Sequence, residues 1–128
     1  MEFNKPITSR FSNSTKIGNS YEDLAAAFLT SQGLTLIQRN YRCKCGEIDL
    51  IMRKQNTLVF VEVKYRKNNK FGGAISALSH KQMQRLMKSA QYFLNESNST
   101  HLNARFDVVA ITGSSQPVWI QNAIFSKG

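Results

Sequence analysis

The chain has 128 residues, with 17 Lys and Arg against 8 Asp and Glu, a formal net charge of +9. This length supports one hydrophobic core, since two would each bury too little surface. No apolar run nears the ~18 residues of a membrane span, and Cys43 and Cys45 are the only thiols, so membrane-spanning and disulfide-stapled classes are excluded and a reduced, cytoplasmic setting is expected.

Residues 1–19 are polar, rich in Ser and Asn and aperiodic, the composition of a flexible leader, and they contain no apolar stretch of the secretory kind. A single domain is expected over 20–128. Ser20 with Asp23 resembles a capping box opening a helix. Tyr21, Leu24, Ala25, Phe28 and Leu29 form its apolar stripe, and Gly33 ends it. On that helix Glu22 lies at the stripe's edge and Asp23 points away.

Leu34–Gln38 reads as a short strand. Glu47–Arg53 and Leu58–Arg66 read as longer strands around the turn Lys54-Gln55-Asn56-Thr57. Leu58-Val59-Phe60-Val61 is wholly apolar, as in a central strand covered on both faces. Phe71-Gly72-Gly73 begins a loop. Ser79 and Gln82 form a second capping box, before a helix with Met83, Leu86, Met87, Ala90, Phe93 and Leu94 turned inward. Strands are expected at Phe106–Thr112 and Val118–Gln121. The order α-β-β-β-α-β-β describes an α/β (α+β) domain, a mixed sheet flanked by helices.

The charge is concentrated. Residues 39–88 hold 12 of the 17 basic side chains, among them Arg42, Arg66, Lys67, Lys81, Arg85 and Lys88, against three acids, Glu47, Asp49 and Glu62. Such an excess favours a polyanionic partner, nucleic acid above all, because each phosphate contact releases counterions. A solvated surface that only aids solubility is the plainer reading.

If the hairpin turn centres between Gln55 and Asn56, Asp49 comes opposite Glu62 and Glu47 opposite Lys64. Alternation then puts Asp49, Glu62 and Lys64 on one face with Ile51 and Phe60. Carboxylates opposed on paired strands sit ~4.5–5.5 Å apart at Cβ and repel, and an apolar setting adds a desolvation cost. A divalent cation between them, or Lys64 beside one, offsets that cost. An exposed strand end with an ordinary Glu–Lys ladder is the alternative. Cys43 and Cys45 with His80 and His101 match no standard zinc spacing. Trp119 and Tyr65 read as packing residues.

Gly46-Glu47-Ile48-Asp49-Leu50-Ile51, followed by Val59-Phe60-Val61-Glu62-Val63-Lys64-Tyr65-Arg66, resembles the YraN-like family of uncharacterised bacterial proteins. The likeness extends from Glu22 and Ala25 through Arg39-Asn40-Tyr41-Arg42, Lys81, Ala90 and Arg105-Phe106-Asp107-Val108-Val109 to Asn122-Ala123-Ile124-Phe125. Tyr21 departs from it, standing where a small Gly is expected. That family is in turn similar to the restriction-endonuclease-like PD-(D/E)XK nucleases, Holliday-junction resolvases especially.

The resemblance implies a metal-dependent endonuclease acting on DNA, branched DNA included. Asp49, Glu62 and the carbonyl of Val63 would hold Mg²⁺ or Mn²⁺. Lys64 would position water or stabilise developing charge, and Glu22 would complete the site or anchor Lys64. Arg42, Arg66, Lys67, Lys81, Arg85 and Lys88 would contact phosphates. A homodimer is expected for symmetric cutting of two strands. The other function in view is a nucleic-acid-binding module of the same fold with little catalysis, RNA- or ribosome-associated in one version.

Overall fold

The computed structural model of the protein describes residues 13–66, 79–113 and 116–123, with side chains from Ser20 to Tyr65 in the first stretch. Two helices and five strands follow the expected order. They are α1 (Asn13–Ser31), β1 (Thr35–Cys43), β2 (Gly46–Lys54), β3 (Thr57–Arg66), α2 (His80–Glu96), β4 (Asn103–Thr112) and β5 (Val118–Ile120). The strands form one sheet in the order β1-β2-β3-β4-β5. Every neighbour pair is antiparallel except β3 and β4, which run parallel with α2 as the crossover. Among the described residues no helix is long and apolar enough to cross a membrane.

The β2–β3 hairpin has the register that its turn residues imply. Lys54 pairs with Thr57, Arg53 with Leu58, and so on to Leu50 with Val61. Gln55 takes a left-handed φ of 54° to make the tight reversal. Met52, Val59 and Val61 face α1 with Ala25, Ala26, Leu29 and Val109. Ile51 and Phe60 face α2 with Leu86, Ala90 and Phe93. Covered on both faces, β3 has the continuous apolar run that such a position requires.

Four sequence expectations need correction. The first helix starts at Asn13, so Ser20 lies in its second turn and is no cap. Helix extension costs little per residue once the packed segment has nucleated, so an aperiodic polar stretch can join it. Leu24 is exposed, and the buried stripe runs instead through Ala25, Ala26 and Leu29. Two alanines let the helix lie close to the sheet, and this rotation carries Glu22 inward.

The first strand runs on to Cys43. A bulge between Leu36 and Gln38 and a left-handed Asn40 (φ 49°) break its alternation and hid its length from pattern reading. On α2, Met87 is exposed and Ser89 is buried in its stead. The β1–β2 turn approaches there, and a Cβ on Gly46 (φ 150°) would lie 3.4 Å from Ser89 Oγ. The second capping box forms as expected: Ser79 Oγ accepts from Gln82 N–H while Gln82 Oε1 accepts from Ser79 N–H, both at 3.0 Å. The loop expected from Phe71 lies outside the described residues.

Candidate functional site

The regular ladder between β2 and β3 ends at Leu50–Val61, and the next two residues are Asp49 and Glu62. Asp49 Oδ2 accepts a hydrogen bond from the Val63 main-chain N–H at 2.8 Å. Lys64 Nζ lies 3.4 Å from Glu62 Oε2, both side chains being largely buried, at 16% and 18% exposure. The expected Glu47–Lys64 opposition does not form. Glu47 instead pairs with Arg42 at 3.5 Å across β1–β2, where the ladder continues as far as Gly46.

Both carboxylates open into a cavity of about 310 Å³. Its other walls are Gly46 and Glu47 of β2 and Gln82, Arg85 and Leu86 of α2. The site therefore lies where the hairpin stops pairing and the first turns of α2 cross over it. Of the basic residues Lys81, Arg85 and Lys88 on α2, Arg85 is the one that the fold brings to the carboxylates.

From the other helix, Glu22 reaches the same cluster. It is 14% exposed, and its Oε1 accepts from Asn40 Nδ2 at 2.8 Å and lies 3.7 Å from Arg39. Arg39 also grips Asp23, at 2.6 Å. Asn40 sits between the Arg39–Leu50 and Tyr41–Ile48 pairs, in the stretch that faces Asp49. Its left-handed backbone suits Asn better than most residues and aims the carboxamide at α1.

The electrostatics follow from this crowding. Burial pushes the Glu22 carboxyl up to about 7, the negative charge of Asp49 adds to the rise, and Arg39 opposes it. Burial and then the charge of Glu62 push Asp49 up as well, against the Val63 N–H. Glu62 is raised by burial and held back chiefly by Lys64. Desolvation and like-charge repulsion thus act together on three acids within one small volume.

Such a cluster gains from a cation. The donors are all oxygen, which suits Mg²⁺ or Mn²⁺ rather than zinc. Among the described residues no group of three or more His, Cys, Asp or Glu gathers closely enough to form an all-protein cage. That is compatible with a small hard cation that keeps several waters and takes one or two carboxylates. The residues present fit such an ion. Cys43 and Cys45 are free thiols, and among the described residues no cluster of metal ligands forms around them.

The remaining expected contacts are spread out. Arg42 is exposed on β1, and Lys81 and Lys88 are exposed on α2. The side chain of Arg66, and Lys67 entirely, lie outside the described residues. Tyr65 and Trp119 pack against the α1-side core as expected, Tyr65 stacked on Tyr21 with ring centroids 4.4 Å apart. Sequence reading missed Asn40 as a partner of Glu22, and Gln82 as a wall of the cavity. An Asn inside a strand run was the available signal for the first. Gln82 gave none, since its capping role already accounted for it.

Fold and site together define a small α+β domain with a mixed sheet, an acidic cavity at the end of its central hairpin and a basic helix across the opening. The chain belongs to the uncharacterised protein family UPF0102, whose model matches residues 21–111. It is 49% identical over 107 residues to a UPF0102 protein of Neisseria meningitidis serogroup C, covering 84% of this chain and 93% of the relative. It is 48% identical over 111 residues to one of Vibrio parahaemolyticus, covering 85% and 92%. The family match includes Glu22, Asp49, Glu62 and Lys64.

Proposed function

We propose that this protein is a metal-dependent endonuclease that hydrolyses phosphodiester bonds in nucleic acid, DNA foremost. The observation that carries the reading is the adjacency of Asp49 and Glu62 in one cavity, with Lys64 on Glu62 and Arg85 on the opposite wall. Buried carboxylates that repel each other are costly to a fold unless something binds them.

Asp49, Glu62 and a main-chain carbonyl at Val63 would hold the cation, and the Val63 N–H fixes the orientation of Asp49. When bound, Mg²⁺ or Mn²⁺ supplies Lewis-acid polarisation of a phosphoryl oxygen and a more acidic water. Lys64 donates to the anionic oxygens as negative charge grows on the phosphoryl group. Arg85 and Gln82 offer donors to the non-bridging oxygens of the same phosphate. Glu22, held by Asn40 and Arg39, would accept the proton that the attacking water releases. Water adds to phosphorus and one P–O ester bond breaks, the leaving alkoxide taking up a proton from solvent water.

The basic residues Arg42, Lys81 and Lys88 would steer the polyanion, each phosphate contact adding to the salt dependence of binding. A homodimer would put two such sites on two strands. A second reading has its own support. Lys64 already neutralises Glu62, so a nucleic-acid-binding module with little catalysis can keep this arrangement with no cation.

The test is cleavage of four-way-junction, linear DNA and RNA substrates with and without Mn²⁺. Metal-dependent cutting that Asp49→Asn reduces at least ~10³-fold supports the nuclease. Salt-sensitive binding without cutting supports the module.

A further inference from the structure

Along α2, Arg85, Lys88, Tyr92 and Asn95 follow one another at helical spacing on a single stripe. Arg85 walls the acidic cavity. The other three, with Gln91 and Cys45, line a second cavity of about 260 Å³. The two openings adjoin, since Gly46 borders the first and Cys45, its chain neighbour in the β1–β2 turn, borders the second. Among the described residues no carboxylate lines the second cavity.

Its chemistry is that of a nucleotide site. Tyr92 is 39% exposed, far more than core packing requires, and offers an aromatic surface. Gln91 and Asn95 carry both donors and acceptors, joined only by a long 3.5 Å hydrogen bond. Lys88 brings a cation to the rim. Aromatic rings that stack bases, amides that meet base edges and a lysine for phosphate are the ordinary means of holding an unpaired nucleotide. From Arg85 to Tyr92 the helix advances ~10.5 Å at ~1.5 Å per residue. That is about three nucleotides of a strand stacked at the duplex spacing of ~3.4 Å, and fewer of an unstacked, more extended one.

We infer that this cavity binds an unpaired nucleobase within about three nucleotides of the phosphate held at the acidic site, with Tyr92 as the stacking platform. The inference rests on the nuclease reading for the direction of the strand. It makes the preferred substrate one with single-stranded nucleotides beside the cut, not a continuous duplex.

The experiment is fluorescence anisotropy in EDTA, so that neither metal binding nor cleavage enters. The probes are a blunt DNA duplex and the same duplex with a four-nucleotide single-stranded tail, 5′ or 3′, of DNA or RNA. The wild-type protein is expected to bind one tailed polarity ~5- to 150-fold more tightly than the blunt duplex, the range one stacked base provides. Tyr92→Ala removes that preference and leaves blunt-duplex affinity unchanged, while Tyr92→Phe keeps it. The DNA and RNA arms show which sugar the site prefers. No tail preference in the wild type, a preference that survives in Tyr92→Ala, or equal weakening of tailed and blunt probes overturns the inference. A tail preference in a protein that never cuts would instead sink the nuclease reading and leave the base site standing.

Discussion

Two regions of this molecule bury carboxylates, and they do so in opposite ways. Asp107 on β4 has a fully buried side chain, and every oxygen of it is occupied. Arg105 Nη2 donates to Oδ2 and Nε to Oδ1, each at 3.0 Å. Trp119 Nε1 donates to Oδ2 at 2.8 Å and the Asn122 main-chain N–H to Oδ1 at 3.0 Å. These contacts fasten β5 and the segment after it to β4. The Asp49–Glu62 site holds a like-charged pair with one main-chain donor, one lysine and a third acid, Glu22, beside it. The first arrangement is self-sufficient. The second sets like charges side by side with fewer donors than Asp107 has, and that contrast is what motivates the proposed cation site.

The contrast can be broken most severely at Asp107. Asp107→Ala leaves the partly buried Arg105, Trp119 Nε1 and the Asn122 N–H without their acceptor and is expected to cost ~3–5 kcal/mol, read as a lower urea midpoint. Glu62→Gln should act the other way in metal-free protein near pH 8. Burial and the neighbouring acids outweigh the Lys64 pairing at Glu62, so removing its charge stabilises on the order of 1 kcal/mol while it abolishes Mn²⁺ binding. If Glu62→Gln destabilised as much as Asp107→Ala, the two sites would be alike and the distinction would fail.

A pH series sharpens the same point. Glu22 and Asp49 have raised pKa values in the folded protein, so the fold retains protons that the unfolded chain releases. Metal-free stability should therefore fall as pH rises from about 4.5 to about 7, and level off above that. A thermal melt series that rose across this window would contradict the assignment. A more local effect is expected at Asn40. Asn40→Ala loses the hydrogen bond to Glu22 and strains a left-handed backbone, together ~1–3 kcal/mol. Asn40→Gly should recover the backbone share of that stability but not the cleavage rate.

How much of this was legible beforehand depends on distance along the chain. The β2–β3 register follows from a two-residue turn between apolar strands, and with it came Asp49, Glu62 and Lys64 as neighbours. The start of α2 was equally readable, because Ser79 and Gln82 cap each other locally. The contacts that complete the site are long-range. Asn40 meets Glu22 across 18 residues and Arg85 meets the carboxylates through the crossover helix. Asn40 also departs from the extended conformation that strand patterning assumes. The role of Asp107 was hidden for the same reason, since Trp119 and Asn122 reach it only once β5 pairs with β4.

The central claim is that Asp49 and Glu62 form a cation site, and calorimetric titration of Mn²⁺ tests it most directly. Wild-type protein should bind Mn²⁺ with proton release, more tightly at pH 8 than at pH 6, because the cation competes with the protons that burial retains. The Asp49→Asn/Glu62→Gln protein should show no such heat. Wild-type protein that binds no Mn²⁺ even with DNA present, or a double variant that binds it equally well, would contradict the account.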